Sequence, residues 1–210
     1  MKEITLSPEL TKEIAAIYQA MQEGYDRVSG EVGLTCEGCP DNCCDSYFLH
    51  HTYSEWAYLW QGLHQLDSEE LERIVSRAKE YIAQSAEALA EGRRPQIMCP
   101  LNDNGLCGLY HHRMLVCRMH GIPATLTRPD GQFMRFPGCF RCQEIVKEKY
   151  EPETDAPAMD RSQLFRQLAA VESRLFEEQR HLYPRVKKTI AEMIIAGPPA
   201  VPLPHCERQR

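Results

Sequence analysis

Apolar side chains recur at helical spacing in four stretches of this chain and lose that rhythm in its middle third. Leu10, Ile14, Ile17, Met21 and Val28 return near every 3.6 residues, behind Ser7 as N-cap and Pro8 in the first turn. The spacing predicts an amphipathic helix over 8 to about 29, ended by Gly30 and Gly33. Thr52 and Glu55 resemble a capping box, which predicts a short aromatic helix over YSEWAYLWQGLHQL. Asp67 with Glu70 is a second box; Leu71, Ile74, Val75, Ala78, Ile82 and Leu89 then predict a long helix stopping at Gly92. From 93 to 142 Pro, Gly, Asn and Cys dominate and only TLTRPDGQFMRF reads as an element, a hairpin around Pro129-Asp130-Gly131. Helices resume after about residue 155. Asp160 caps a run with Leu164, Leu168, Val171, Leu175 and Phe176, and Pro184 opens another through Val186, Ile190 and Ile194 to Gly197.

These patterns predict a mainly α fold. One domain over 1–197 packs its helices around an irregular cysteine-rich metal-binding centre, with one small β-hairpin; a Pro-rich extended tail follows over 198–210. The stretch from 93 to 142 is too long for an idle loop in a compact domain, so something besides apolar packing is expected to hold it.

Composition narrows the chemistry. Hydrophobic residues make up 43%, enough for an ordinary core, and the net charge of −6 argues against nucleic acid or an anionic membrane surface as partner. The first residues, MKEITLSPEL, lack the apolar stretch of a signal peptide, and no apolar run approaches the roughly 18 residues that span a bilayer. The expected location is the cytoplasm, where thiols stay reduced and clustered cysteines ligate metal or do redox work more often than they form disulfides.

Ten cysteines are present and nine fall into three groups: Cys36, Cys39, Cys43 and Cys44; Cys99, Cys107 and Cys117; Cys139 and Cys142. Cys206 stands alone. A C-x2-C turn aims two thiolates at one point, which suits zinc or iron. Two such turns bracketing three more cysteines, in the least regular part of the chain, point to metal; buried cysteines acting as small hydrophobes account for single positions only. Neighbouring side chains diverge, so Cys43 and Cys44 do not comfortably serve one mononuclear ion: one goes to a second metal, bridges two metals, or packs in the core. Nine thiols exceed the four ligands of a closed zinc or a single cluster, so two sites or one polynuclear site is the natural count.

CEGCPDNCC followed by CPLNDNGLCGLYHHRMLVCR resembles the CxxCxxxCC cysteine-cluster family (YkgJ-like), a zinc- or iron-chelating domain. Cys99-Pro100, Cys107, Tyr110, Arg113, Cys117 and Arg118 match that family's second block, and Met114 stands where it carries proline. The likeness covers about 36 to 142. It implies a metal-chelating site and leaves the reaction open, although one related class, the flagellin lysine methylases, is thought to carry an iron–sulfur cluster there.

Cysteine followed by proline at Cys39-Pro40 and Cys99-Pro100 also occurs in ferredoxin-type loops and points to iron–sulfur; zinc is the alternative, split for example between Cys36, Cys39, Cys139 and Cys142 and most of the rest. Among the histidines, His120 is the first candidate for a further ligand, ahead of His50 and His51. Seven arginines, no lysine and two acids lie between 93 and 141. That balance compensates thiolate charge or lines an acidic-ligand pocket, with Arg113 and Arg118 the expected donors beside the centre. Tyr53, Trp56, Tyr58 and Trp60 are expected to pack against the metal loops. Phosphate-cradling and dinucleotide glycine motifs and H-E-x-x-H are absent. The expected function is an iron–sulfur protein, 4Fe–4S with room for a second metal, in a redox or enzyme-associated role. The alternatives are a structural zinc module presenting a surface to a protein partner, and, by analogy with the methylases, a metal-dependent group-transfer enzyme. The expected partners are metal ions and a protein, with neither nucleic acid nor membrane.

Overall fold

A computed structural model describes residues 2–37 and 43–201. Among them the helices are α1 (Pro8–Val32), α2 (Tyr53–Leu63), α3 (Ser68–Ala90), α4 (Leu115–Met119), α5 (Phe140–Lys149), α6 (Ser162–Leu175) and α7 (Ile190–Ile195). The strands are β1 (Lys2–Glu3), β2 (Asn102–Asp103), β3 (Leu106–Cys107), β4 (Ala124–Thr127), β5 (Phe133–Phe136), β6 (Met159–Asp160) and β7 (Ala200–Val201). The fold is mainly α with small sheets, as the patterning predicts. No helix among the described residues is long and apolar enough to cross a membrane.

The chain divides into two compact units. The first comprises Met1–Glu13, Cys44–Met114 and Val171–Arg210; the second comprises Ile14–Cys43 and Leu115–Ala170. In the first, α3 packs along α7. Both indole N–H groups of α2, on Trp56 and Trp60, donate to the Met193 carbonyl at 3.1 Å. Trp56 and Trp60 therefore pack on the C-terminal helix and Tyr53 on Phe176, where cysteine loops were expected; Tyr58 does meet such a loop, its ring centroid 4.7 Å from that of His112, between Cys107 and Cys117. Gly62 makes that seat possible, since an added Cβ would lie 2.6 Å from His112 Cγ. The N-terminus of α2 is held twice. Thr52 accepts from the Glu55 N–H, and the buried Glu172 carboxylate accepts from the N–H groups of Tyr53 and Ser54 at 3.0 and 2.8 Å. Arg180 closes this arrangement: its Nε donates to Glu172 at 2.8 Å while its guanidinium lies over the rings of Tyr53 and Phe176.

In the second unit α1 buries Ile17, Tyr18, Met21, Val28 and Val32 on one stripe. β4 pairs antiparallel with β5, the expected hairpin, and parallel with β6, giving the order β5-β4-β6. α5 lies over residues that sequence periodicity leaves irregular.

Three boundaries differ from expectation for identifiable reasons. α1 runs through Gly30 and ends at Gly33, whose φ of 81° takes the left-handed turn. α7 starts at Ile190, not Pro184, because Thr189 caps it and forms a reciprocal capping box with Glu192. The preceding chain is extended, with His50 and Lys188 exchanging backbone bonds at 2.8 and 3.2 Å. In the tail, Ala200–Val201 pairs with Lys2–Glu3; residues 202–210 lie outside the described chain. The segment from 93 to 142 also buries apolar residues that the periodicity hid: Leu101, Leu109 and Met114 in the first unit, and Leu115, Met119 and Ile122 in the second.

Glu172→Ala leaves Arg180 partly buried without its carboxylate and strips the α2 terminus. The expected loss is about 3–5 kcal/mol in urea unfolding; a loss under about 1 kcal/mol would contradict the capping role.

Candidate metal centre

The first unit gathers Cys44, Cys99 and Cys107. Cys44 lies in a short turn, Cys43–Asp45, and its carbonyl accepts from the Cys99 N–H at 2.9 Å. The Cys99 carbonyl accepts from the Asn102 N–H at 2.9 Å, and Asn102 is the ladder partner of Cys107 in the β2–β3 pair. Gly108 N–H closes the hairpin on Leu101 O at 2.8 Å. Arg77 Nη1 donates to the Asn102 carbonyl at 2.9 Å and fastens the hairpin to α3. A cysteine whose sulfur accepts a backbone N–H two residues on is set in a turn that suits a metal thiolate; Leu101 provides that donor to Cys99. Burial pushes the Cys99 thiol up to about 12; the Leu101 N–H opposes this, the charges of Cys107 and Cys44 add to it, and Arg113 opposes it. Tyr81, also raised to about 12, is shifted first by burial and then by the Cys99 charge.

The second unit brings together Cys36, Cys43, Cys139 and Cys142 by a different device. Cys139 is the N-cap of α5 and Cys142 is buried in its first turn, so this C-x2-C opens a helix where an irregular loop was expected. Gly138 allows the approach. Its φ is 90°, and a Cβ there would lie 2.6 Å from the Gly121 carbonyl oxygen and 3.1 Å from Cys142 Sγ. The Cys139 N–H donates to that Gly121 carbonyl at 3.1 Å. At its far end α5 serves the free carbonyls of α1: Lys149 Nζ bonds Val32 O at 2.8 Å and the Tyr150 hydroxyl bonds Glu31 O at 3.4 Å. Arg141 reaches Glu37 O at 3.4 Å. These bonds hold the chain around Cys36 beside the helix that carries Cys139 and Cys142. Tyr25, on α1, has its hydroxyl 3.9 Å from Cys36 Sγ. Its acidity is suppressed first by burial and then by the charges of Cys36, Cys43 and Cys139. Cys142 is pushed up to about 11, by burial and by Cys139. Cys117 lies half-buried in α4 of the same unit.

None of the eight described candidates, Cys36, Cys43, Cys44, Cys99, Cys107, Cys117, Cys139 and Cys142, forms a disulfide. Cys39 and Cys206 lie outside the described residues. Among the described residues no three His, Cys, Asp or Glu side chains stand in position to hold a metal ion. The donor set fits a thiophilic metal in its chemistry, since the cysteines form no disulfide and backbone N–H, phenol and guanidinium groups lie beside Cys99 and Cys36. Closing either group on an ion requires its thiols to draw together. Of the expected arginines, Arg113 acts on Cys99 and lies over the Tyr110 ring at 5.8 Å, while the buried Arg118 lies 4.6 Å over the Tyr18 ring. His50 is buried and held neutral, its pKa pushed down to about 3 by burial and then by His51, and neither ring nitrogen has a hydrogen-bond partner among the described residues. His51 Nδ1 meets the Val186 carbonyl at 3.2 Å, and His120 is half-buried in the second unit. Tyr25, Gly121 and Gly138 were not among the sequence candidates. Only Gly138, directly before a C-x2-C, carried a readable signal.

No family model matches the chain, and no curated protein or solved structure matches it. The likeness to the cysteine-cluster family rests on the motif residues alone.

Gly138→Ala forces a Cβ against the Gly121 carbonyl at a left-handed φ, so it is expected to cost about 2–4 kcal/mol in urea unfolding; a near-neutral result would mean the α5 turn sits elsewhere. In metal-free protein at pH 8, Cys36 is exposed while Cys99 is protonated and mostly covered. Mass-spectrometric alkylation should modify Cys36 early and Cys99 and Cys142 last. Equal rates at Cys36 and Cys99 would contradict the burial described.

Proposed function

We propose that this chain is a metal-binding protein that holds an iron–sulfur cluster on the thiolates of the second unit and a second metal on those of the first. Cys36, Cys43, Cys139 and Cys142 are the ligands of the cluster, with Cys39 and Cys117 as its further thiols; Cys44, Cys99 and Cys107 serve the second metal. One observation carries the reading. The adjacent pair falls at a boundary: Cys43 belongs to the unit that holds Cys36, Cys139 and Cys142, while the Cys44 carbonyl accepts from the Cys99 N–H at 2.9 Å in the unit that holds Cys107. Sulfur-only donor sets with hydrogen bonds to sulfur suit iron–sulfur clusters, which when bound supply one-electron redox chemistry. The chain's own part is to hold the thiolates and to balance their charge with Arg113 and with N–H and O–H donors. The role that follows is redox or enzyme-associated.

A second reading has its own observation. Cys99 and Cys107 flank and end a tight two-stranded hairpin with an N–H bond to the Cys99 sulfur, an arrangement that suits structural zinc. It applies to the first unit and makes that hairpin a metal-stiffened surface for a protein partner.

Purification without oxygen, followed by absorption spectroscopy, metal analysis and acid-labile sulfide determination, tests both readings. The expected sample is coloured, with iron and sulfide in equal amounts and further metal beyond the cluster. A colourless protein with zinc and no sulfide would overturn the iron–sulfur assignment, and a protein that takes up neither metal would overturn the whole reading.

A further inference from the structure

Tyr25 belongs to no cysteine motif, yet its hydroxyl faces the sulfur of Cys36. It sits on α1, a rigid element, 3.9 Å from Cys36 Sγ. The hydroxyl also rests against Gly121, where an added Cβ would lie 2.7 Å from its oxygen. Gly121 holds a φ of 122° that side chains rarely adopt, and its carbonyl accepts the Cys139 N–H. The same carbonyl is what Gly138 must remain a glycine to meet. An unbroken line of close contacts thus runs from Cys36 sulfur through the Tyr25 hydroxyl and Gly121 to the Cys139–Cys142 turn.

We propose that Tyr25 is a positioning residue of the second unit's metal centre, its hydroxyl donating a hydrogen bond to the Cys36 sulfur and holding that thiolate beside the Cys139–Cys142 turn. The inference rests on the metal reading above for its purpose, but the hydrogen bond itself stands apart from it. Facing a thiolate, the phenol is the member of this pair that carries a hydrogen to donate. Donors to ligand atoms orient them and tune the metal, and their loss commonly costs 10- to 100-fold in metal affinity.

The test compares wild type with Tyr25→Phe, both purified without oxygen, in two measurements. The first is the rate at which iron passes to an excess of a chelator. The second is the Cys36 13Cβ resonance in metal-free protein, with Cys99 as internal reference. The expected result is a variant that folds, releases iron about 10- to 100-fold faster and moves the Cys36 resonance while leaving that of Cys99 in place. Release at the wild-type rate from a folded variant overturns the proposal, and a variant that loses its fold does so too, since it makes the hydroxyl a folding requirement. If wild type binds no metal, the functional reading fails by itself, and the Cys36 resonance still decides the bond: a shift upholds it and an unmoved resonance overturns it.

Discussion

Two consecutive side chains point apart, so adjacent cysteines cannot both close comfortably on one small ion. Cys43 and Cys44 obey this constraint, and the rest of the site follows from it. Cys43 ends a stretch of one compact unit and Cys44 begins a stretch of the other. The first shares its unit with Cys36, Cys139 and Cys142; the second bonds Cys99 through the backbone, in the unit that holds Cys107. On the proposed reading, the divided pair serves two groups of thiols, each with its own means of support.

Those means differ. In the first unit a two-stranded hairpin sets Cys99 and Cys107, and Arg77 anchors it to α3. In the second, the N-terminal turn of α5 sets Cys139 and Cys142, and backbone approach at Gly121 and Gly138 brings that turn home. The middle of the chain has apolar fastening of its own. Burying a large apolar side chain contributes about 1.5–3 kcal/mol. Leu101, Leu109, Met114, Leu115, Met119 and Ile122 are buried, so their sum is of the same order as the ~10–16 kcal/mol of a structural zinc. The segment has apolar reason to fold, which leaves a bound metal free to do chemistry as well as stapling.

Long periodic elements were legible in the sequence. α1, α2 and α3 appeared with their caps because their apolar stripes persist over several turns, and the β4–β5 hairpin appeared through Pro129-Asp130-Gly131. α5 was not legible: it buries only Cys142 and Val146, too few positions to show a period. The start of α7 was misplaced because Pro184 outweighed the Thr189–Glu192 box. Buried residues around α4 stayed hidden, since a helix over Leu115–Met119 is barely longer than one turn. The thiol groups were visible by spacing, and the split weighed for zinc already set Cys36, Cys139 and Cys142 apart from the rest; that Cys117 falls in the same unit as those three was not visible, since it depends on where the backbone carries it. Tyr25 gave no sign, because a tyrosine in an amphipathic helix is ordinarily packing.

The most direct trial of this account is the metal and sulfide content of Cys43→Ser and Cys44→Ser, prepared side by side without oxygen. If the pair is divided, Cys43→Ser loses the iron–sulfur colour and keeps the other metal, and Cys44→Ser keeps the colour and loses the other metal. Loss of the same metal from both variants would mean that one centre takes both thiolates, and the account would be wrong.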